Sequence, residues 1–261
     1  MDDVKEARDP APAVTRSIRL LGLLADAGGP RTLTELAGGL GLAKSSTANL
    51  CLALEAAGMI ERSANGYRLG LRTAELGGAF AAQFNQVREF YSVCDSSDVL
   101  RQELVQVAML DGADALYLAR HEGSLSLRLG TPLGSRLPAA LSAAGRALFA
   151  AMSDDDVVAR LGEDAVFPAL TERSTTTLAG LLEILAATRK RGWALDAEES
   201  FRGIVGVAVP LPGWAPADPP LSLGVAIRAI EADFERIERV AAALQEAARA
   251  LTNPFSAAAR R

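Results

Sequence analysis

Residues 32–69 constrain the fold more than any other stretch of the chain. They read TLTELAGGLGLAKSSTANLCLALEAAGMIERSANGYRL. Thr32 and Glu35 have the spacing of a capping box, so a helix starts directly after Thr32. Leu33, Leu36, Ala37 and Leu40 form its inward stripe, and Gly38, Gly39 and Gly41 end it. The next helix carries Thr47, Leu50, Leu54 and Ala57 on one face, with Ser45, Asn49 and Leu52 on another and Ser46 beside them. Gly58 closes that helix. Asn65-Gly66 then signals a tight hairpin between strands at 59–62 and 67–69, because both central turn positions favour positive φ. Upstream, Val14, Ile18, Leu21, Leu24 and Ala25 recur at helical spacing over 14–27, and Gly28-Gly29-Pro30 stops them. The order is helix, short helix, turn, helix, hairpin. That order predicts a winged helix-turn-helix over 13–70.

The front of the second of these helices asks for an explanation. Ser45, Ser46, Thr47 and Asn49 stand where an ordinary helix would place more bulk. A helix entering the major groove brings its first turn against base edges and phosphates. Small hydroxyl side chains allow that approach and can donate to phosphate, while Asn49 is long enough to pair with adenine. Lys44 and Arg16 are expected nearer the phosphates. Arg62 and Arg68 on the hairpin are candidates for phosphate or minor groove. Over 13–75 the basic residues Arg16, Arg19, Arg31, Lys44, Arg62, Arg68 and Arg72 outnumber the five acidic ones, against a net charge of -5 for the whole chain. The basic character is therefore local, and long-range steering should be modest.

The rest of the chain reads as an α+β sensor-like domain. A linker helix is expected at 71–87, and a further helix from about 87 to 104. Strand signals follow at 105–111, 115–121 and 125–130, with helices at 142–152, 176–192 and 231–251. The apolar runs GIVGVAVPL and LSLGVAIR, at 203–211 and 221–228, read as central strands. Ser153 should cap a helix whose Asp154, Asp155 and Asp156 complement its dipole rather than hold a metal. The polar, acidic residues 1–12 are expected to form a disordered arm and are wrong for a signal peptide. No apolar run is long enough to span a bilayer, so no membrane partner is expected. Cys51 and Cys94 should be free thiols in a reducing cytoplasm. The single histidine, His121, reads as an exposed polar residue. It leaves no partner for metal ligation or for Ser/His or Cys/His catalysis, so no catalytic residue, metal or cofactor is expected.

Over nearly its whole length the chain resembles the IclR family of transcriptional regulators. The resemblance rests on AVTRSIRLLGLLA, TLTELAGGLGLAKSSTANL and GYRLG in the first domain, and on SRLPAALSAAGRALFA and RGWALDAEESFRGIVGVAVPL in the second. It implies a winged helix, a linker helix and, over 88–255, a GAF-like mixed α/β domain that binds a small-molecule effector. It also implies a homodimer or tetramer on a double-stranded operator near catabolic genes, with repression the expected sign. Ser142, Ala143, Gly145, Asp196 and Glu199 match the family's pattern. Arg146 stands where lysine is usual, Gly206 where cysteine is usual, and Ala226 and Arg228 where serines are frequent. The front of the helix at Ser142, Ala143 and Ala144 suits a carboxylate. Aligned with relatives, Asp196, Gly206, Ala226 and Arg228 complete a pocket for a carboxylic acid, with Arg228 as a two-pronged anchor. The alternative reading is a small-molecule enzyme with an accessory winged helix, its paired carboxylates supplied by Asp196, Glu198 and Glu199.

Overall fold

The structure, a computed structural model, describes residues 9–81, 83, 85–124, 131–213 and 218–252. It divides into two compact units, Met1–Phe80 and Ala81–Arg261.

The first unit runs α1 (Pro12–Asp26), α2 (Leu33–Leu40), α3 (Lys44–Ala56), β1 (Ile60–Ser63), β2 (Gly66–Leu69) and α4 (Leu71–Ala81). Pro12 opens α1, where its fixed φ suits a helix and its missing N–H is not needed. Helix therefore begins inside the expected arm, of which residues 1–8 lie outside the described residues. The α1 face that packs inward is Leu20 and Leu24, while Val14 and Ile18 are 58% and 64% exposed. The capping box of α2 is present: Glu35 N donates to Thr32 Oγ1 at 3.3 Å, and Thr32 N donates to Glu35 Oε2 at 2.8 Å. Gly41 ends α2 with φ of 66° and turns the chain into α3. Thr47, Cys51 and Leu54 form the buried face of α3, with Cys51 in place of the expected Ala57. One core joins Leu20, Leu24, Leu36, Leu40, Cys51, Leu54, Ile60 and Tyr67.

The hairpin differs from its expected turn. Ser63 pairs with Gly66, so the two connecting residues are Ala64 and Asn65. Gly66 has φ of 124°. A Cβ on it would sit 2.3 Å from the carbonyl oxygen of Arg31. The cause of that closeness is a bridge between Arg31 and Tyr67: Arg31 N donates to Tyr67 O at 2.9 Å, and Tyr67 N donates to Arg31 O at 2.7 Å. Glycine is needed at 66 by its φ and by a segment that lies 35 residues upstream.

The second unit contains α5 (Asn85–Ser96), β3 (Leu104–Asp111), β4 (Asp114–Glu122), β5 (Arg136–Pro138), α6 (Ala143–Ala150), α7 (Asp154–Leu161), α8 (Leu178–Arg191), β6 (Ala194–Ala197), β7 (Ile204–Leu211), β8 (Leu221–Arg228) and α9 (Phe234–Ala250). The expected linker helix at 71–87 is thus two helices, α4 ending at Ala81 and α5 starting at Asn85. The strand expected at 125–130 lies outside the described residues. Among the described residues the sheet is antiparallel with the order β5-β4-β3-β8-β7-β6, which puts β8 and β3 at its centre. Phe90 of α5 and Leu244 of α9 share one core with Val105, Val207 and Val225. Phe149 of α6 and Leu181 and Leu185 of α8 share a second core with Ala108, Ala115 and Tyr117. Helix α6 lies close to its neighbours because its first turn is small. A Cβ on Gly145 would meet the Cα of Ala139 at 2.2 Å. The second unit is a mixed α/β domain of the α+β class, and the first is an N-terminal helix-turn-helix.

Candidate functional site

In the first unit, Lys44, Ser45, Ser46 and Asn49 are exposed along one side of α3. The N-cap is Ala43, which offers no side-chain acceptor, whereas α2, α6, α7, α8 and α9 are each capped by a side chain. The first-turn amides of α3 therefore face outward without a capping oxygen, beside hydroxyls that can also donate. Thr47 is a correction. It is fully buried, and its Oγ1 donates to Ala43 O at 3.2 Å, so it packs the helix and cannot reach a groove. Arg16 and Lys44 are exposed, and no salt bridge among the described residues engages either. Arg62 is exposed, with its guanidinium 5.9 Å from the Tyr67 ring centre. Arg68 pairs across the hairpin with Glu61, so part of its charge is already answered within the wing.

The second unit holds a small open cavity between the front of α6 and the strands β3, β7 and β8. Of the expected ligand residues, Ser142, Ala143, Ala144, Asp196, Gly206 and Ala226 all line it. Gln106, Tyr117, Thr131 and Ser200 line it as well, and no pattern within their own strands or loops marks them out. Arg228 is not among the lining residues and is the second correction. It stands at the exposed end of β8 and pairs with Glu231, which in turn binds Arg236 at 3.0 Å.

Electrostatics of the cavity are set by burial. Asp196 Oδ1 accepts hydrogen bonds from Glu199 N at 2.7 Å and Ser200 N at 3.3 Å. Burial raises the Asp196 pKa above the usual carboxylate value, against the opposing pull of a hydrogen bond from the Ser200 side chain, of the two amides and of Arg146. Burial and the nearby Asp196 together push the Tyr117 hydroxyl far above its usual range, so it stays protonated and able to donate. Behind the cavity, Arg146 donates to Ala140 O and Leu195 O at 2.8 Å each, and to Glu199 Oε2 at 2.7 Å. Burial alone would raise Glu199, but Arg146 and the Thr175 amide outweigh it and hold its pKa below the usual value.

The carboxylates of the alternative reading are spent on structure. Asp196 caps its own turn, Glu199 pairs with Arg146, and Glu198 binds Arg173 at 2.9 Å. Glu198 is the one non-glycine residue with positive φ, 67°, among the described residues. His121 is not exposed as expected. Its side chain is 11% exposed, and Nε2 contacts Asp95 Oδ1 at 3.1 Å. Ser153 caps α7 as expected, with Asp154, Asp155 and Asp156 in its first turn.

Comparison with known proteins finds a match for each of the two domains. Residues 13–64 match the IclR helix-turn-helix domain, and residues 93–253 match the C-terminal domain of bacterial transcriptional regulators of the IclR type. The chain is 28% identical over 201 residues to the HTH-type transcriptional regulator XynR of Escherichia coli, covering 76% of this chain and 79% of that one. It is 29% identical over 196 residues to the transcriptional repressor IclR of Escherichia coli, covering 74% of this chain and 71% of that one. Its fold matches an IclR homologue from Microbacterium hydrocarbonoxydans solved with 4-hydroxybenzoate, at a TM-score of 0.76 and 21% identity, covering 92% of this chain and 97% of that one. These relatives are transcriptional regulators rather than enzymes, and the chain, with its DNA-binding domain followed by its C-terminal regulator domain, belongs to the IclR family of transcriptional regulators.

Proposed function

We propose that the protein is a repressor of a catabolic operon, and that its grip on the operator changes when a small organic acid enters the cavity of the second unit. The observation that carries the DNA-reading part is the front of α3, where Lys44, Ser45, Ser46 and Asn49 are exposed on a helix with no side-chain N-cap. Asn49 is the base reader in this account. Lys44, Arg16 and Arg62 hold phosphates, and Arg68 reaches one by giving up Glu61. Two copies read the two halves of a partly palindromic site. The exposed apolar side chains Val14 and Ile18 of α1 and Leu71 and Leu76 of α4 give those copies a face to bury.

For the acid, support comes from the front of α6, whose positive end and first-turn amides border the cavity at Ser142, Ala143 and Ala144. Arg228 has no part in the anchor. The homologue solved with 4-hydroxybenzoate supports an organic acid as the ligand class. The test is fluorescence anisotropy with the DNA upstream of the protein's own gene, titrated with carboxylic acids. Specific binding that one acid weakens supports the reading. Absence of specific binding to that DNA, with or without acids, contradicts it.

A further inference from the structure

Leu52 is 62% exposed and takes no part in the core of the first unit. Helix spacing puts it on one stripe with Ser45, Asn49 and Ala56, all exposed, opposite the buried Thr47 and Leu54. The outer side of α3 therefore does not end with its polar front. It continues as a leucine flanked by the exposed Ala53 and Ala56, where a solvated helix face would carry polar and charged groups. Among the described residues of this unit, the other large exposed apolar side chains lie on α1 and α4.

The charges on α3 narrow what this stripe can meet. Lys44 stands in the first turn, off the stripe, Glu55 is half-buried, and the helix contains no arginine. Guanine is read most often by arginine or lysine across O6 and N7, and the stripe holds neither. Asn49 suits adenine, and the apolar group that a base pair shows in the major groove is the thymine methyl. A leucine pressed on any other base edge would cover polar atoms and give them no hydrogen bond in return. Pressed on a thymine methyl, it covers apolar surface with apolar surface. Leu52 lies about 4.5 Å beyond Asn49 along the helix axis. Neighbouring bases of one strand are roughly 3.4 Å apart. The two side chains therefore reach neighbouring base pairs.

We infer that Leu52 is a specificity residue of the reading helix, and that it packs on a thymine methyl in each operator half-site, next to the adenine paired with Asn49. The inference rests on α3 being the reading helix and adds a second base pair to what that helix reads. Leu52 selects by shape and desolvation, without a hydrogen bond.

The test uses the full chain and the DNA upstream of its gene, prepared once with thymine and once with uracil throughout. Uracil lacks the methyl group and keeps the same acceptors in the groove. Wild type should bind the uracil DNA on the order of tenfold less tightly, the worth of one buried methyl in each of two half-sites. Leu52→Ala should bind thymine DNA about as weakly as wild type binds uracil DNA, and should not tell the two apart. Comparing the two proteins on both DNAs separates the contact from any change in DNA shape. Leu52→Met keeps an apolar side chain and should regain part of the preference. Leu52 lies outside the core, so neither variant should lower the unfolding temperature. Equal binding of both DNAs by wild type, or an undiminished preference in Leu52→Ala, overturns the inference, while a loss of specific binding in Asn49→Ala still upholds α3 as the reading helix. A Leu52→Ala that alters sedimentation and leaves the methyl preference intact puts Leu52 between two copies of the chain and overturns it too. If wild type binds neither DNA specifically, the reading of α3 fails along with the inference.

Discussion

The guanidinium of Arg146 lies 2.7 Å from the carboxylate of Glu199, Nη2 to Oε2, with the arginine side chain 1% exposed and the glutamate 10%. The pair ties helix α6 to the turn that carries Asp196 and Ser200, and so fixes two walls of the cavity against each other. Removing one partner leaves a buried charge without compensation. Glu199→Ala should therefore cost about 3–5 kcal/mol and lower the unfolding temperature by several degrees. A change under about 1 kcal/mol by chemical denaturation would show that the pair is solvated and not structural.

The two carboxylates of that turn should respond to pH in opposite ways. Glu199 has a lowered folded pKa, so its contribution is present above the unfolded value and is lost as pH falls through the folded one. Asp196 has a raised folded pKa, so its folded state favours the proton, and stability falls as pH rises from the unfolded value through the folded one. Asp196→Asn keeps an oxygen for the amides of Glu199 and Ser200 and removes the buried charge. The substitution should raise the unfolding temperature at pH 7 and leave it unchanged near pH 3. Thermal melts across that range check the sign.

At Gly66, alanine must adopt φ of 124° and place a methyl group 2.3 Å from Arg31 O. Gly66→Ala should destabilise the winged unit by more than about 2 kcal/mol. Amide exchange of Tyr67 should rise with it, since Tyr67 N is bound to Arg31 O. An unchanged melt of this unit would mean that the bridge is not held in solution.

Much of the first unit was legible in the sequence because its signals are local. The capping box at Thr32 and Glu35 and the stop at Gly41 each depend on residues within one turn. The hairpin at 60–69 was also read, but the reason for Gly66 was not, because Arg31 reaches it from elsewhere in the chain. Thr47 suits both the core and a DNA contact, because helix spacing alone does not decide which face a short threonine serves. In the cavity, Asp196, Gly206 and Ala226 came through the family's pattern. Gln106 and Tyr117 did not, because only the strand order β4-β3-β8-β7 brings them to the cavity. Arg228 lies away from the cavity for a simple reason. It is the last residue of its strand, and Glu231 three residues on offers it a partner outside the cavity.

Association is expected through the outer faces of α1 and α4. Ile18→Glu combined with Leu76→Glu places charge on two side chains that are 64% and 49% exposed in the single chain. The double variant should fold normally yet sediment as a monomer at micromolar concentration, where the wild type sediments as a dimer or larger. A wild type that is itself monomeric there contradicts the proposed symmetric reading of DNA.

The central claim is that the front of α3 reads an operator. It is tested most directly by measuring the affinity of wild type, Lys44→Ala and Asn49→Ala for the DNA upstream of the gene over a range of salt. Lys44→Ala should weaken cognate and random DNA alike and lower the slope of log K against log salt by about one. Asn49→Ala should keep that slope, lose about 1–3 kcal/mol on the cognate site, and relax preference at one base pair per half-site. If both variants bind cognate and random DNA as the wild type does, α3 is not the reading helix and the account is wrong.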